Sequence, residues 1–531
     1  MTRLQRRVDG TWVVLAGALL LAGVVRFWQL GEQDYWVDEL HALVDSAGKQ
    51  SVLAAIPYDR VLAELPDLTG IAGDTGVADA WRGMRQETHP PLYFLLLYGW
   101  RSLVGDEEFA VRALSAALSV LSVIPVFLTL RAYGRAEVGA AAACVLAAAF
   151  GHIYVGQQNR QYSLALGLVA CAYWFWARFE GCGASTRRGE GRGSDRRGSG
   201  ARGAAATWVW SALYGAALLA AMLTHYIAAL PLAGHAVYVL ARGRGRERLT
   251  WATATIAAAG TFLLLWGPQL AQQFPHMRAV APVLAESGPQ HEFDTLVRFA
   301  NVPLRLLFHL AGGNVNPAQA AAGCVLMITV LLALHRRWER EAVLFGLWFA
   351  VPVAFLGMVD ITSGRGTLGH LRYPVFALPG LVVLLVLAAR RLPRRGWVAC
   401  VCGITILSLV SLSYPTRRNP DARVAAELLA GQMRPGDLLV CDGTNQLEHW
   451  PRTLMLVTTY YLPRPYPPLL LLSRLPSAAL MSEVGVYGRL FVVSGWSDQQ
   501  PWVPPPPYRQ TLTTPWLWDL GPIRVYERQT E

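Results

Sequence analysis

Long apolar runs alternating with short polar clusters set the rhythm of this chain. The runs lie near 11–30, 111–130, 137–153, 162–178, 206–224, 226–241, 250–268, 317–334, 342–359, 373–389 and 396–413. Each approaches the roughly 17 to 25 residues that a helix needs to cross a bilayer. The pattern therefore predicts a polytopic α-helical membrane protein of about eleven transmembrane helices. After residue 413 the pattern changes. "PDARVAAELLAGQ" has helical periodicity, while "GDLLVCDG" and "LFVVSG" are short apolar runs bounded by glycine, as buried strands are. A small C-terminal α/β domain over 414–531 follows, outside the membrane domain of 1–413. Its tail, "QQPWVPPPPYRQTLTTPWLWDLG", is expected to wrap as extended loop.

Composition agrees with lipid burial. Of 531 residues, 53% are hydrophobic and 16% charged, against about 25% charged in soluble domains. The net charge of +11 is unevenly placed. Arginines crowd 187–203, 242–249, 335–341 and 390–395, which fall on one side if the spans alternate. That side is cytoplasmic by the positive-inside rule. Gly31 to Pro90 carries eleven acidic residues against four basic ones and lies opposite. The N-terminus is then cytoplasmic and the C-terminus extracytoplasmic, in a plasma or inner membrane. The first span has no small-residue cleavage site behind it and is expected to be retained. The basic segments are Gly/Ser-rich without interleaved aromatics, so they argue for topology and not for nucleic acid. Seven cysteines lack any CxxC spacing, and no metal-ligand cluster stands out.

The exterior segment 31–110 opens on "DYWVDELHALVDSAG", with Asp38 and Glu39 side by side. Its bland reading is a helix start, where an acid caps free N–H groups. Two stretches, 51–65 and 89–105, are amphipathic, and the second, apolar but short, is expected to lie along the interface. Span interiors carry almost no charge, His235 being the exception to note. The ionisable groups gather at exterior span ends instead: Asp38 and Glu39, Glu87 and His89, Arg112, "HIYVGQQNRQYS", Thr224-His225-Tyr226, His276 and Arg278, and "DITSGRGTLGHLRY". Guanidinium groups at Arg160, Arg278, Arg365 and Arg372, with His89, suit phosphate oxygens. A nearby carboxylate suits removal of a proton from an attacking hydroxyl. Beside lipid, this points to group transfer from a lipid-linked phosphate.

Six pieces, in order, resemble the GT-C membrane glycosyltransferases of the protein O-mannosyltransferase and lipid A aminoarabinose transferase type. They are "WVDEL" after the first span, "HPPL" at 89–92, "GDEEFAVR" ending at Arg112, "YVGQQNRQYSLAL", "THY" with His225 and Tyr226, and "LRYPVFALPG" with Arg372. The resemblance implies a polyprenyl-phosphate sugar donor and transfer with inversion to an acceptor of unspecified class, protein, lipid or glycan. It implies Asp38 as general base with Glu39 in the site. His89, Arg160, Tyr162, His225, Tyr226, Arg278, Arg365 and Arg372 then bind donor phosphate or substrate, and Arg112 has a structural part. Gln158 stands where relatives often have an acid. No cofactor is expected; a divalent metal, which some relatives carry, has no ligand cluster here. The sugar is a hexose, with mannose as the default of one branch, or a pentose. A transporter or flippase of lipid-linked sugars is the alternative, and span interiors poor in charge count against it.

Overall fold

The first apolar run holds no proline and folds as one helix, Arg3–Phe27. The computed structural model of the chain describes residues 3–71, 75–189, 196–280, 289–310, 315–335, 339–413, 422–444, 450–495, 502–514 and 522–529. Side chains are described in these ranges except at 3–9, 182–189, 196–206, 276–280 and 289–290, where only the backbone is. The chain divides into two units. One comprises 1–30, 87–96 and 112–415; the other comprises 31–86, 97–111 and 416–531.

The first unit is helical. Among the described residues six helices are long and apolar enough to cross a bilayer: Gly10–Phe27, Glu108–Ala132, Gly245–Pro275, Pro317–Leu334, Arg340–Ser363 and Arg394–Ser411. A seventh crossing is made if Ala136–Ala148 and Phe150–Gly156, bent by 60°, are one span. Several expected spans fall on shorter apolar helices, Thr207–Met222, Tyr226–Arg242 and Pro374–Ala389. Polar residues and prolines interrupt them: His225 is extended (φ −159°) between the first two, and Pro374 opens the third with a 3-10 turn. Small residues let helices cross closely. A Cβ on Gly380 would lie 2.6 Å from the Phe345 carbonyl oxygen, and one on Gly234 2.6 Å from that of Leu347.

The bend at Ala149 (ψ 125°) is braced by a side chain of the first helix. A broken helix strands its last carbonyls, which need donors. Arg26, fully buried in the first helix, supplies them. It donates to the carbonyls of Ala147 (2.8 Å) and Leu146 (3.3 Å), to Ala22 (3.1 Å) in its own helix, and to Ser119 Oγ (2.7 Å). It also meets His152 Nδ1 at 2.9 Å, whose Nε2 lies 2.9 Å from Ser122 Oγ. His235 is thus not the only ionisable group inside a span. Arg26 lies near the C-terminal end of the first run, where it reads as an interfacial residue; the broken helix beside it draws it inward.

The second unit holds a six-stranded sheet: β1 (Val61–Leu62), β2 (Leu438–Asp442), β3 (Leu469–Leu472), β4 (Arg489–Ser494), β5 (Tyr508–Thr513) and β6 (Ile523–Arg528). Their order is β1-β3-β2-β4-β6-β5. The middle three strands are parallel, with Val440 between Leu470 and Val492. All residues of β2 and β3 are buried, as the apolar runs require of a parallel sheet covered on both faces. Helices Trp450–Thr459 and Ala478–Val484 provide the crossovers. The Pro-rich tail is not all loop. It contains β5, paired to β6, and Trp502 donates its N–H to the buried Asp442 carboxylate at 2.6 Å.

The sheet of residues 438–528 is extended by the segment after the first span, whose β1 joins it. The stretch 51–65 leaves its helix at Ala55 and becomes β1, paired antiparallel to β3. Asp59 (φ 54°) makes the turn. Its N–H donates to the Leu471 carbonyl (2.8 Å), and its carboxylate accepts from the Ser473 N–H (2.9 Å) and hydroxyl (2.7 Å).

Candidate functional site

In the membrane unit four nitrogen-bearing side chains from distant segments come together. The HPPL segment gives His89, the polar break after Phe150–Gly156 gives Arg160, the THY turn gives His225, and the 360–373 loop gives Arg372. The His89 and His225 rings are 5.3 Å apart. His225 also packs against Tyr162 (5.2 Å) and Phe376 (5.4 Å). Both histidines feel the charges of Arg160 and Arg372.

Local structure fixes each member. Thr224, His225 and Tyr226 sit where one apolar helix ends and the next begins. His225 Nδ1 accepts the Ile227 N–H at 3.1 Å as the N-cap of a 3-10 turn. An accepting Nδ1 carries no proton, so the neutral ring is protonated on Nε2. Nε2 is buried, with no hydrogen-bond partner among the described residues. The loop bearing Arg160 hangs on Tyr93, whose hydroxyl donates to Asn159 Oδ1 (2.9 Å) and lies 2.8 Å from Ser115 Oγ. Ser115 in turn donates to the Arg160 carbonyl (3.1 Å). Arg160 is buried, 6.0 Å above the Phe94 ring.

Arg372 is delivered by a braced loop. Asp360, fully buried, accepts from Thr367 N–H and hydroxyl (both 2.6 Å) and from Leu368 N–H (2.8 Å). Gly364 (φ 67°) and Gly366 (φ 61°) make the left-handed turns this wrapping needs. Arg305 holds the far side through the carbonyls of Leu368 (3.2 Å) and Gly369 (2.8 Å). Arg372 ends half-buried, 5.2 Å from the Tyr373 ring.

The electrostatics divide the labour. Burial, then the neighbouring Arg160, His225 and Arg372, push His89 well below the ordinary histidine range. Burial, then Arg160 and Arg372, lower His225 to about 3. Both rings are neutral near pH 7. The arginines carry the positive charge, and the His225 ring offers a neutral N–H beside it. An anion with several acceptor oxygens matches that set.

Other expected residues are placed as follows. Tyr226 is half-buried; its hydroxyl donates to Gln273 Oε1 (2.5 Å) and accepts from Trp266 (2.9 Å). Gln273 donates to the His89 carbonyl (3.1 Å), tying Tyr226 to the same segment. Arg112 is buried and donates to the Leu30 carbonyl (3.2 Å). Arg365 is exposed. The side chains of Arg278 and His276 lie outside the described residues. Tyr93, Asn159 and Gln273 escaped sequence reading, although Tyr93 follows the HPPL residues and Asn159 sits in a conspicuous polar run. Gln161 is buried, its amide without a partner among the described residues.

In the second unit, Asp38 and Glu39 are the second and third residues of helix Val37–Ala47. Trp36 is the N-cap. The buried Glu39 carboxylate accepts the Trp36 N–H at 3.4 Å while its own N–H bonds the Trp36 carbonyl at 2.9 Å. Glu39 is therefore engaged in ending the helix; Asp38 is half-buried. No group of three or more His, Cys, Asp or Glu among the described residues could hold a metal.

Residues 88–184 match the family model described as dolichyl-phosphate-mannose-protein mannosyltransferase. Among solved structures the chain is similar to ArnT from Cupriavidus metallidurans bound to undecaprenyl phosphate. The TM-score is 0.53 and the identity 14%, over 97% of this chain and 98% of that one. It also aligns with the Archaeoglobus fulgidus oligosaccharyltransferase in complex with zinc and sulfate (TM-score 0.46, 12% identity, 91% and 68% covered). A further alignment is with the Saccharomyces cerevisiae protein O-mannosyltransferase Pmt1-Pmt2 complex bound to the sugar donor (TM-score 0.33, 16% identity, 50% and 34% covered). No curated protein matches the chain.

Proposed function

From the premise that this is a membrane chain with the GT-C fold and a mannosyltransferase-like segment, we propose that it is an inverting glycosyltransferase. It moves a sugar from a polyprenyl-phosphate donor to an acceptor hydroxyl on the exterior face of the membrane. The observation that carries this reading is the meeting of Arg160, Arg372, His89 and His225 in the membrane unit. Two guanidinium groups and a neutral imidazole N–H make a site for one phosphate group. The undecaprenyl phosphate bound by ArnT supports a polyprenyl carrier as its owner.

The reaction is a single displacement. The acceptor oxygen attacks the anomeric carbon, and Asp38 takes its proton as the new bond forms. The bond from that carbon to the phosphate oxygen breaks, and its electron pair leaves on polyprenyl phosphate. Arg160 and Arg372, already fixed by Tyr93, Asn159, Ser115 and the Asp360 loop, stabilise the charge that accumulates there. One displacement from the far side inverts the centre. The sugar is a hexose or a pentose, and Gln158 leaves Asp38 as the acid to which the base role falls.

The test is transfer of radiolabel from a mixture of polyprenyl-phosphate mannose and polyprenyl-phosphate pentose to a cell-envelope extract, using the purified chain in bilayer discs. Asp38→Asn keeps the size and removes the base. Its transfer should fall by about 100-fold or more, with polyprenyl phosphate still bound. Wild-type transfer by Asp38→Asn, or transfer from a sugar nucleotide without lipid, overturns the reading.

A further inference from the structure

The second unit contains an ion-pair cluster that the reaction itself does not call on, placed immediately before the helix that carries Asp38. Asp34, half-buried, receives both the backbone N–H (2.8 Å) and Nε (2.9 Å) of Arg423. The same guanidinium donates to Glu108 and lies 5.0 Å over the Tyr461 ring. The Tyr461 hydroxyl donates to Glu108 and accepts the Tyr35 N–H at 2.8 Å. The Tyr35 ring, fully buried, stands edge-on to Tyr460 at 5.6 Å. Residues 34 and 35 are thus bound to the C-terminal segment by main chain, side chain and ring at once. The next N–H, that of Trp36, closes on Glu39, and Asp38 follows on the first turn.

The other end of the same helix is held too. Arg101 is buried and donates to the Leu43 carbonyl (2.9 Å) and Ser46 Oγ (2.6 Å) near the helix end, to Asp106 (2.7 Å) and to the Thr69 carbonyl. The helix is eleven residues long, and it is held at both ends. Fixing both ends sets where its first turn points. Catalytic acids and bases need such placement, since a misplacement of about 1 Å costs on the order of 100-fold in rate.

We infer that Tyr461 and Arg423 are positioning residues for Asp38, and that the C-terminal segment of this chain serves as the clamp which sets the acid-bearing turn. The clamp acts through the Asp34 carboxylate and the Tyr35 N–H, which lie four and three positions ahead of Asp38. Tyr461 matters doubly. Its one hydroxyl accepts from Tyr35 and donates to Glu108, so both bonds go with that oxygen.

The inference rests on Asp38 being the base, so the experiment carries a control for that reading. The whole chain in bilayer discs is assayed with the two radiolabelled polyprenyl-phosphate sugars, and turnover is counted per site that binds radiolabelled undecaprenyl phosphate. This removes unfolded protein from the count. Tyr461→Phe and Arg423→Ala should each lower turnover per site by roughly 10- to 100-fold while the Kd for undecaprenyl phosphate stays at the wild-type value. Arg423→Lys should recover part of the loss, because an ammonium keeps the attraction to Asp34 and Glu108 and loses the planar stack. Wild-type turnover per site in both variants overturns the clamp, and so does a parallel loss of undecaprenyl phosphate affinity. If Asp38→Asn turns over normally in the same assay, or the wild type transfers nothing, the glycosyl-transfer reading fails and the clamp falls with it. If Asp38→Asn is inactive and Tyr461→Phe is normal, the clamp alone is wrong.

Discussion

Among the described residues of the membrane unit, Arg26 beside His152 and Arg160 near His225 are built in opposite ways. Arg26 faces His152 at the break in the helix after Ala148, and its donors go to three carbonyls, a serine and the histidine. His152 is closed on its other side by Ser122. Nothing in that group is left to receive a ligand. Arg160 acts on His225 through its charge, and there the histidine commits Nδ1 to the backbone and holds Nε2 buried with no partner among the described residues. A second arginine, Arg372, adds charge to the same place. The lesson is that burial and an arginine beside a histidine do not mark a site. A ring nitrogen left unspent among the described residues, as His225 Nε2 is, beside further charged side chains does. This also bears on transport: the one arginine inside the first span is saturated by the protein and is no stepping stone for a substrate.

Breaking each pair separates the two designs. Arg26→Met leaves the carbonyls of Leu146 and Ala147 without donors and should destabilise the unit by about 2–5 kcal/mol. Thermal unfolding would show this, while the folded fraction binds undecaprenyl phosphate as before. Arg160→Gln and Arg372→Gln should do the reverse. Each removes a charge-assisted contact worth about 1.5–3 kcal/mol, a loss of roughly 10- to 100-fold in undecaprenyl phosphate affinity, with little change in unfolding temperature. His225→Phe is a milder break, expected to lower that affinity about fivefold through one neutral hydrogen bond.

A further break of the same pair is a pH dependence. His225 titrates near 3 in the folded chain and near 6.5 when unfolded. Between those values the unfolded chain binds the proton and the folded chain does not, so this residue makes stability fall as pH drops from about 6.5 towards 3. Above that window it contributes no slope. His225→Phe should flatten the acid side of a stability–pH curve, measured by denaturation from pH 7 to pH 4.

The sequence made one half of this comparison readable and hid the other. His89, Arg160, His225 and Arg372 sit beside motif residues at span ends, where polar side chains interrupt apolar runs, and the run boundaries expose them. Arg26 sits in the same kind of place and means something else, because the broken helix that recruits it is more than a hundred residues away. The break at Ala149 has no proline or glycine at that residue to announce it. The pairing of residues 61–62 with the C-terminal strands was hidden for a related reason. A two-residue strand at Val61–Leu62 has no periodicity to read, and "DRVLAEL" looks helical until Asp59 turns the chain onto β3. The strands 438–442 and 489–494 were legible because a parallel sheet buried on both faces demands uninterrupted apolar runs. β5 was not, since an edge strand with an exposed face keeps no such signature.

The account turns on whether the Arg160, Arg372 and His225 cluster holds a lipid phosphate. Native mass spectrometry of the chain released from bilayer discs loaded with undecaprenyl phosphate measures this directly. The account predicts one bound undecaprenyl phosphate on the wild type and on Arg26→Lys, and none on the Arg160→Gln/Arg372→Gln double variant. Equal occupancy on the wild type and the double variant would contradict it.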